Sequence, residues 1–431
     1  MDETSLRVQL ERAVADEPPA GPIVASSIAA GLRLRRRRRV RATAAFAAFA
    51  AVIVAAGVTV PGLRAGSRPK PASAVSIPPT LWVTAEYPGG PVPGGAVTPI
   101  SVGTGTAGQP IVTGESDSII STPDGRTVYI ASDRSGWVRA ISNVAGTAGR
   151  AMSVKPGPVA MAITPDGKTL YVASAGNHHG PGWVTPISVA TGKAEAPIAV
   201  ATAPSSLAIT PNGKILYVLS TTTGTVTPIS VATGRAEPPI RVYGVSTEPP
   251  GWMAVTPDGK TLYVSNFARD EVTPILVATG KAEPPIKAAG PGPGPMVITP
   301  NGKTLYVLDI GGPARTVTPI TVATNTARSP ITVGSAPSVL AITPDGKTVY
   351  VADVEGTVTP ISVATDMAGP PVMVAQNPDE IVITPDSKRA YVLSDSGPQD
   401  GTVTPIVTAT NTAGTAVTIP GAAYGRMTLA P

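Results

Sequence analysis

His178 and His179 are the only imidazoles in this 431-residue chain, and they stand side by side in the stretch SAGNHHGPG. Imidazole is the side chain best suited to proton transfer and metal ligation near neutral pH. Neighbouring residues of one loop often point apart, however, and no acidic cluster accompanies the pair in sequence. The plainer reading is a solvent-exposed loop pair. There is no cysteine, which excludes disulfides, thiolate metal sites, a cysteine nucleophile and a lipid-modified cysteine anchor. No P-loop, dinucleotide fingerprint, G-x-S-x-G elbow, HExxH or EF-hand loop occurs. GTGTAGQ (103–109) has glycine spacing but lies in a turn with no helix after it.

The remaining candidates are the charged residues Asp133, Arg134, Arg269, Asp270, Asp353, Glu355, Asp395 and Asp400, each in a short segment that differs from one part of the chain to the next. A site would arise if the fold brought several of them, with the histidines, to one opening. As isolated residues they read as solvated loop tips. No cofactor is expected.

The elements that position these residues recur along the chain. TPDG or a variant of it begins at residues 122, 164, 210, 256, 299, 343 and 384, at intervals of 41 to 46 residues. A period in the forties with four short strands per unit is the sign of a β-propeller. One unit shows the pattern: SLAITP (206–211) is strand A, ILYVLS (215–220) strand B, TVTPISV (225–231) strand C and PIRV (239–242) strand D. The NGK between A and B reads as an Asn-Gly hairpin turn. Both strand faces are apolar because each blade packs between two others. The Asp of TPDG is a turn former. Trp82 and seven tyrosines, from Tyr129 to Tyr391, share one position of strand B and read as inter-blade packing whose polar tip needs a partner.

The segments LYVSN (262–266), LYVAS (170–174) and VYVAD (349–353), with the preceding TPDGKT, resemble the YVTN-repeat family of β-propellers. The resemblance spans about 350 residues of the chain. It implies an all-β propeller of four-stranded antiparallel blades, mostly of scaffold character. The departure is strand C, where V-T-P-I-S-V replaces the family's usual V-x-V-I-D. The strand count predicts eight blades, against the seven usual in the family: the N-terminal part supplies only B, C and D (from Leu81), and RMTLAP (426–431) supplies a lone A. The fragments are complementary and should close one composite blade, removing two exposed edges.

Strand C poses its own question. Seven of eight copies carry a proline mid-strand: Pro99, Pro186, Pro228, Pro274, Pro319, Pro360 and Pro405, with Ala140 in the eighth. Proline is confined to edges, strand ends and bulges. The expectation is that each proline nitrogen faces outward to strand D, leaving the B–C ladder intact, with C–D pairing starting after the proline or bulged at it.

The A–B and C–D turns share one face of the disc and barely vary within the chain. The B–C and D–A loops share the other face and vary, and variable loops on a rigid scaffold carry recognition. The candidate site is therefore the B–C/D–A face and the mouth of the central channel.

Ahead of the repeats lie residues 1–41, a basic segment with nine arginines against five acids. Residues 42–60 carry no charge and nearly suffice to span the ~30 Å hydrocarbon core of a bilayer. The seven arginines of 33–41 would hold the N-terminus in the cytoplasm, and 61–79 is a Pro-rich linker to the propeller of 80–431. The N-terminal arrangement resembles the anchors of actinobacterial membrane proteins. A cleaved signal peptide with a secreted propeller is the alternative. Residues 80–431 hold 21 basic and 23 acidic residues, a balance that argues against nucleic-acid binding. The expected function is that of a membrane-anchored, extracytoplasmic, monomeric, non-catalytic binding scaffold for a protein or cell-envelope ligand. The alternative is a lactonase-like propeller hydrolase with its active site at the channel mouth.

Overall fold

Each TPDG-type stretch folds back because its own side chains satisfy its backbone. The Thr164 hydroxyl donates to Asp166 Oδ1 at 2.6 Å. The Lys168 N–H donates to that same oxygen at 3.1 Å, and the Thr169 N–H donates to Thr164 Oγ1 at 3.1 Å. Asn212 and Asn301 take the place of the aspartate in two other repeats with the same contacts. Only the fourth residue of each turn is left-handed, Gly213 at φ +68° and Ser387 in the last turn at +59°, and its N–H closes on the threonine carbonyl, as Gly213 does on Thr210 at 2.8 Å. The Asn-Gly pair is thus part of a longer Pro-Asn-Gly turn and not the two-residue hairpin expected from it, because only one of its residues needs positive φ.

The computed structural model describes residues 79–85, 95–114, 116–176, 180–242, 251–311, 315–395, 400–422 and 425–431. His178, His179 and the whole of 1–78, with the expected membrane span, lie outside the described residues. Among the described residues no helix is long and apolar enough to cross a membrane.

The described strands form eight antiparallel sheets, and the eight A strands follow one another around the inside of the ring. The propeller has eight blades. Blade 4 is representative, with A at Pro204–Ile209, B at Ile215–Ser220, C at Thr225–Ser230, and D in two pieces, Arg235–Ala236 and Ile240–Arg241. Blade 1 is composite, as its fragments require. Its B, C and D strands are Thr80–Ala85, Ala96–Ser101 and Ile111–Val112, and its A strand is the C-terminal Met427–Ala430. Leu81 pairs with Leu429 on one side and with Ile100 on the other.

Packing lies between blades, as apolar strands on both faces require. Ile120 and Tyr129 of blade 2 bury against Met161, Leu170 and Ile187 of blade 3. Ala160 and Ala173 of blade 3 turn the other way, onto Leu207 and Leu216 of blade 4. At the seam, Leu81 and Met427 of blade 1 pack on Tyr391 and Leu393 of blade 8.

The strand-C prolines face outward. In every blade the carbonyl of this residue accepts an N–H from strand D or its lead-in, as Pro228 does from Glu237 (2.8 Å) and Pro360 from Gly369 (2.7 Å). In an antiparallel strand the N and O of one residue point to the same side, so the nitrogen points to D as well. The B–C register runs unbroken through Tyr217↔Pro228. The C–D ladder breaks at this point and resumes beyond it. In blade 4, Ile229 pairs with Ala236 and Val226 with Ile240, so Glu237, Pro238 and Pro239 face Thr227 and Pro228. Three residues opposite two is a β-bulge. The same count holds in blade 2, where Ala140 replaces the proline, so the bulge belongs to the rim of the fold and the proline fits it.

Candidate binding face

The two faces of the disc differ in how completely they satisfy themselves. On the A–B/C–D face each turn is internally bonded, and in blades 2 to 7 the turn glycine lies against the turn proline of the blade before. A Cβ on Gly213 would meet Pro165 Cδ at 3.4 Å, and one on Gly259 would meet Pro211 Cδ at 3.5 Å. Strand-B aromatics reach across to the next C–D turn: Tyr263 Oη donates to Asn325 Oδ1 (2.7 Å) and Tyr350 Oη to Asn411 Oδ1 (2.6 Å). Trp82 Nε1 donates to Asn143 Oδ1 at 2.9 Å. The expected polar partner of these rings is thus the neighbouring blade.

The B–C/D–A face is different. Among the described residues, the buried side-chain polar atoms that lack a protein partner fall in the half of the disc beneath it. They include the hydroxyls of Ser174, Thr185, Thr227 and Thr404, Trp252 Nε1 and Asp309 Oδ1. Such atoms are uncommon in native interiors and call for a reason. Left-handed non-glycine residues occur on both faces, and three on this one stand before a proline. Ala203, Ala336 and Asn377 have φ between +51° and +54°, and each precedes the proline that opens an inner strand. Both features disfavour this conformation. A bulge follows in each of those strands, at Ser205, Ser338 and Asp379, re-aiming the chain at the channel mouth.

Several of the anticipated charged residues tie B–C loops to D–A loops. Asp270, at φ +56°, accepts the Gly292 N–H at 2.7 Å. Asp400 accepts the Gly421 N–H at 3.3 Å. Asp133 donates its own N–H to Asp117 Oδ2 at 2.9 Å. Loss of hydration together with the adjacent Asp117 carboxylate pushes the Asp133 carboxyl up to about 6. Asp353 is buried and caps its own turn, accepting the N–H groups of Glu355 and Thr357 and the Thr357 hydroxyl. Asp395 is buried at the end of its strand B. Arg134, Arg269 and Glu355 are exposed, and the Arg269 carbonyl receives Lys287 Nζ at 3.0 Å.

Other groups on this face escaped sequence reasoning. Asp309, fully buried at the end of strand B of blade 6, accepts the hydroxyls of Thr316 (2.8 Å) and Thr318 (2.9 Å) on Oδ2 alone. Burial pushes its carboxyl up to about 6 in spite of these bonds, with the Asp270 charge adding to the rise. On blades 2 and 3, Arg139 lies 5.2 Å from the Trp137 ring centre and Lys155 lies 4.7 Å from that of Trp183, within cation–π range. The signal in sequence was that these two tryptophans stand where other blades carry Ala, Thr or Glu at the start of strand C. Glu380 and Arg426, both buried, lie where blade 8 adjoins blade 1, and the Arg426 charge favours the ionised Glu380 carboxylate. Among the described residues no group of three or more His, Asp or Glu is placed to hold a metal ion.

No protein-family model matches the chain, and no curated protein matches it. Solved structures do. Hydrazine synthase of Kuenenia stuttgartiensis superposes with a TM-score of 0.52 at 20% identity, over 70% of this chain and 94% of that one. The dihydro-heme d1 dehydrogenase NirN, in complex with DHE, superposes with a TM-score of 0.63 at 15% identity, over 83% of this chain and 76% of that one. At these identities the likeness establishes that this chain has the β-propeller fold.

Proposed function

We propose that this chain is a non-catalytic binding scaffold that takes a protein or cell-envelope ligand on its B–C/D–A face. One observation carries the reading: the unpartnered buried polar atoms gather under that face, whereas the opposite face bonds to itself turn by turn. The resemblance of the repeats to YVTN-type propellers and the near-neutral charge of 80–431 agree with a scaffold and not with a nucleic-acid binder. In this reading residues 42–60 anchor the chain in a membrane, and the linker 61–79 displays the propeller outside. Cross-linking on intact cells followed by partner identification tests it. A partner captured by probes in the B–C loops, and lost on changing Trp137 and Trp183 to Ala, is the expected result. Protease added to intact cells should cleave residues 80–431. Protection until lysis, with an exposed control cleaved, would refute the outward display.

A second reading is a propeller hydrolase. It draws on Asp133 and Asp309, whose carboxyls titrate near 6 and so lie in the range of general acids and bases. NirN and hydrazine synthase are examples of enzymes whose structures superpose on this fold. Hydrolysis of small lactones by the wild type, abolished by changing His178 and His179 together or Asp133 alone, would establish this reading over the first.

A further inference from the structure

The ring is closed by six C-terminal residues, and at that seam the chain places charge where other blades place none. Aligned on their TP turns, the A strands carry Ser118, Ala160, Ser206, Trp252, Pro295 and Val339 at one position, but Arg426 in blade 1 and Glu380 in blade 8. Glu380 is 7% exposed and Arg426 8%. Glu380 Oε2 accepts the backbone N–H of Met427 at 2.6 Å, a bond from one inner strand to the next. Arg426 is fixed from its other side, its N–H donating to Thr84 Oγ1 (2.7 Å) and its carbonyl accepting the Thr84 N–H (2.8 Å).

We propose that Glu380 is the latch of the ring: its carboxyl group holds the C-terminal strand in the seam, and the protonation of that one group sets how often the seam opens. The closing strand of four residues, Met427–Ala430, is held within blade 1 by its pairing with strand B and against blade 2 by the Ser121 hydroxyl, and the Glu380 bond ties it to blade 8.

The titratable and charged groups on the segments packed around Glu380 are Asp379 on its own strand, Arg389, Tyr391 and Asp395 on strand B of blade 8, Tyr350 and Asp353 on strand B of blade 7, and Arg426 just ahead of the closing strand. Burial raises the Glu380 carboxyl to about 7, opposed by Arg426 and the Met427 N–H and assisted by Asp379. The folded seam therefore binds a proton that the open seam releases. Closure is strongest below the unperturbed carboxylate range and weakens as pH rises toward about 7.

The test is hydrogen exchange of the intact chain from pH 5 to 8.5, corrected for intrinsic rate, followed in peptides covering 80–85 and 425–431. Opening of these two segments should rise at least tenfold across the range in the wild type, with peptides from blades 3 to 6 unchanged. In Glu380→Gln, which keeps an acceptor for the Met427 N–H, the rise should vanish. In Arg426→Met, which removes the charge that lowers the folded carboxyl, the rise should become larger and continue to higher pH. If the wild-type seam exchanges independently of pH, or if Glu380→Gln keeps the full rise, the latch is refuted. Should Glu380→Gln fail to fold, the direction of the Arg426→Met shift decides.

Discussion

The Tyr306 hydroxyl donates to Asp366 Oδ1 at 2.6 Å, joining strand B of blade 6 to the C–D turn of blade 7. Asp366 stands at φ +53°, so one residue both makes the turn and receives the neighbouring blade. Arg328 of blade 6 pairs with the other Asp366 oxygen. Burial and the bond to Asp366 raise the Tyr306 hydroxyl well above its ordinary value, keeping it a donor. Tyr306→Phe should cost about 1 kcal/mol, the usual net worth of such a bond. Asp366→Asn should be nearly neutral, because Asn325 and Asn411 serve the same role elsewhere in the ring. Denaturant melts of Tyr306→Phe, Asp366→Ala and their combination give the coupling, and a coupling of zero would remove the clasp.

That clasp explains part of what the sequence withholds. The need of the strand-B hydroxyls for partners was legible in the chain. The partner was not, because it lies about 60 residues on, in a turn position filled by Gly234 or Gly280 in some repeats and by Asn or Asp in others. The composite blade was legible because strands can be counted. The rim bulge was not, because it depends on register. Glu380 went unseen because AQNPDE (375–380) reads as a loop, when its last three residues already lie in strand A. The histidine pair lies outside the described residues, so the fold brings no geometry to it.

Proline on strand C is tolerated at one position and not at its neighbour. Pro228 points its nitrogen at the bulged rim, while Thr227 pairs with Val218 across the unbroken B–C ladder. Pro228→Ala should therefore change stability by less than about 1 kcal/mol. Thr227→Pro should cost about 3 kcal/mol or more, since it deletes a ladder bond in the interior of a blade. Equal effects of the two substitutions, read from chemical denaturation, would contradict the outward orientation of the prolines.

Acid should loosen the A–B turns. The Thr164 hydroxyl, with smaller help from Lys168, holds the Asp166 carboxyl below its usual range. The carboxyls of Asp124, Asp258, Asp345 and Asp386 are likewise lowered by their Thr and backbone bonds, against a desolvation that acts the other way. A folded pKa below the unfolded one gives stability that is present above the unfolded value and lost as pH falls through the folded one. Tm should fall as pH drops below about 4. Changing all five residues to Asn, which repeats 4 and 6 already carry as Asn212 and Asn301, should flatten that acid limb. The side chains are half-exposed or more in most of these turns, so solvent screening keeps each contribution small.

The C-terminal residue is itself a packing piece of the ring. A Cβ on Gly125 would lie 2.0 Å from the Pro431 carbonyl oxygen, and the Ser121 hydroxyl donates to the Leu429 carbonyl at 2.6 Å. Pro431 thus occupies in blade 1 the place that Pro165 and Pro211 hold against the glycines of their neighbours. Gly125 is at φ +66°, so a side chain there meets both strain and a backbone clash, whereas Gly234, left-handed too, has open space around it. Gly125→Ala should lower stability by roughly 2 kcal/mol or more, the cost expected when strain and overpacking combine. Gly234→Ala should cost only the left-handed preference, about 1 kcal/mol. Removing residues 426–431 should do more than either, because it bares strand B of blade 1 along its whole inner edge and the apolar side of blade 8. Gel filtration of the truncated chain should show association through that edge. A truncated chain that stays monomeric with an unchanged Tm would mean that the seam contributes nothing to holding the ring.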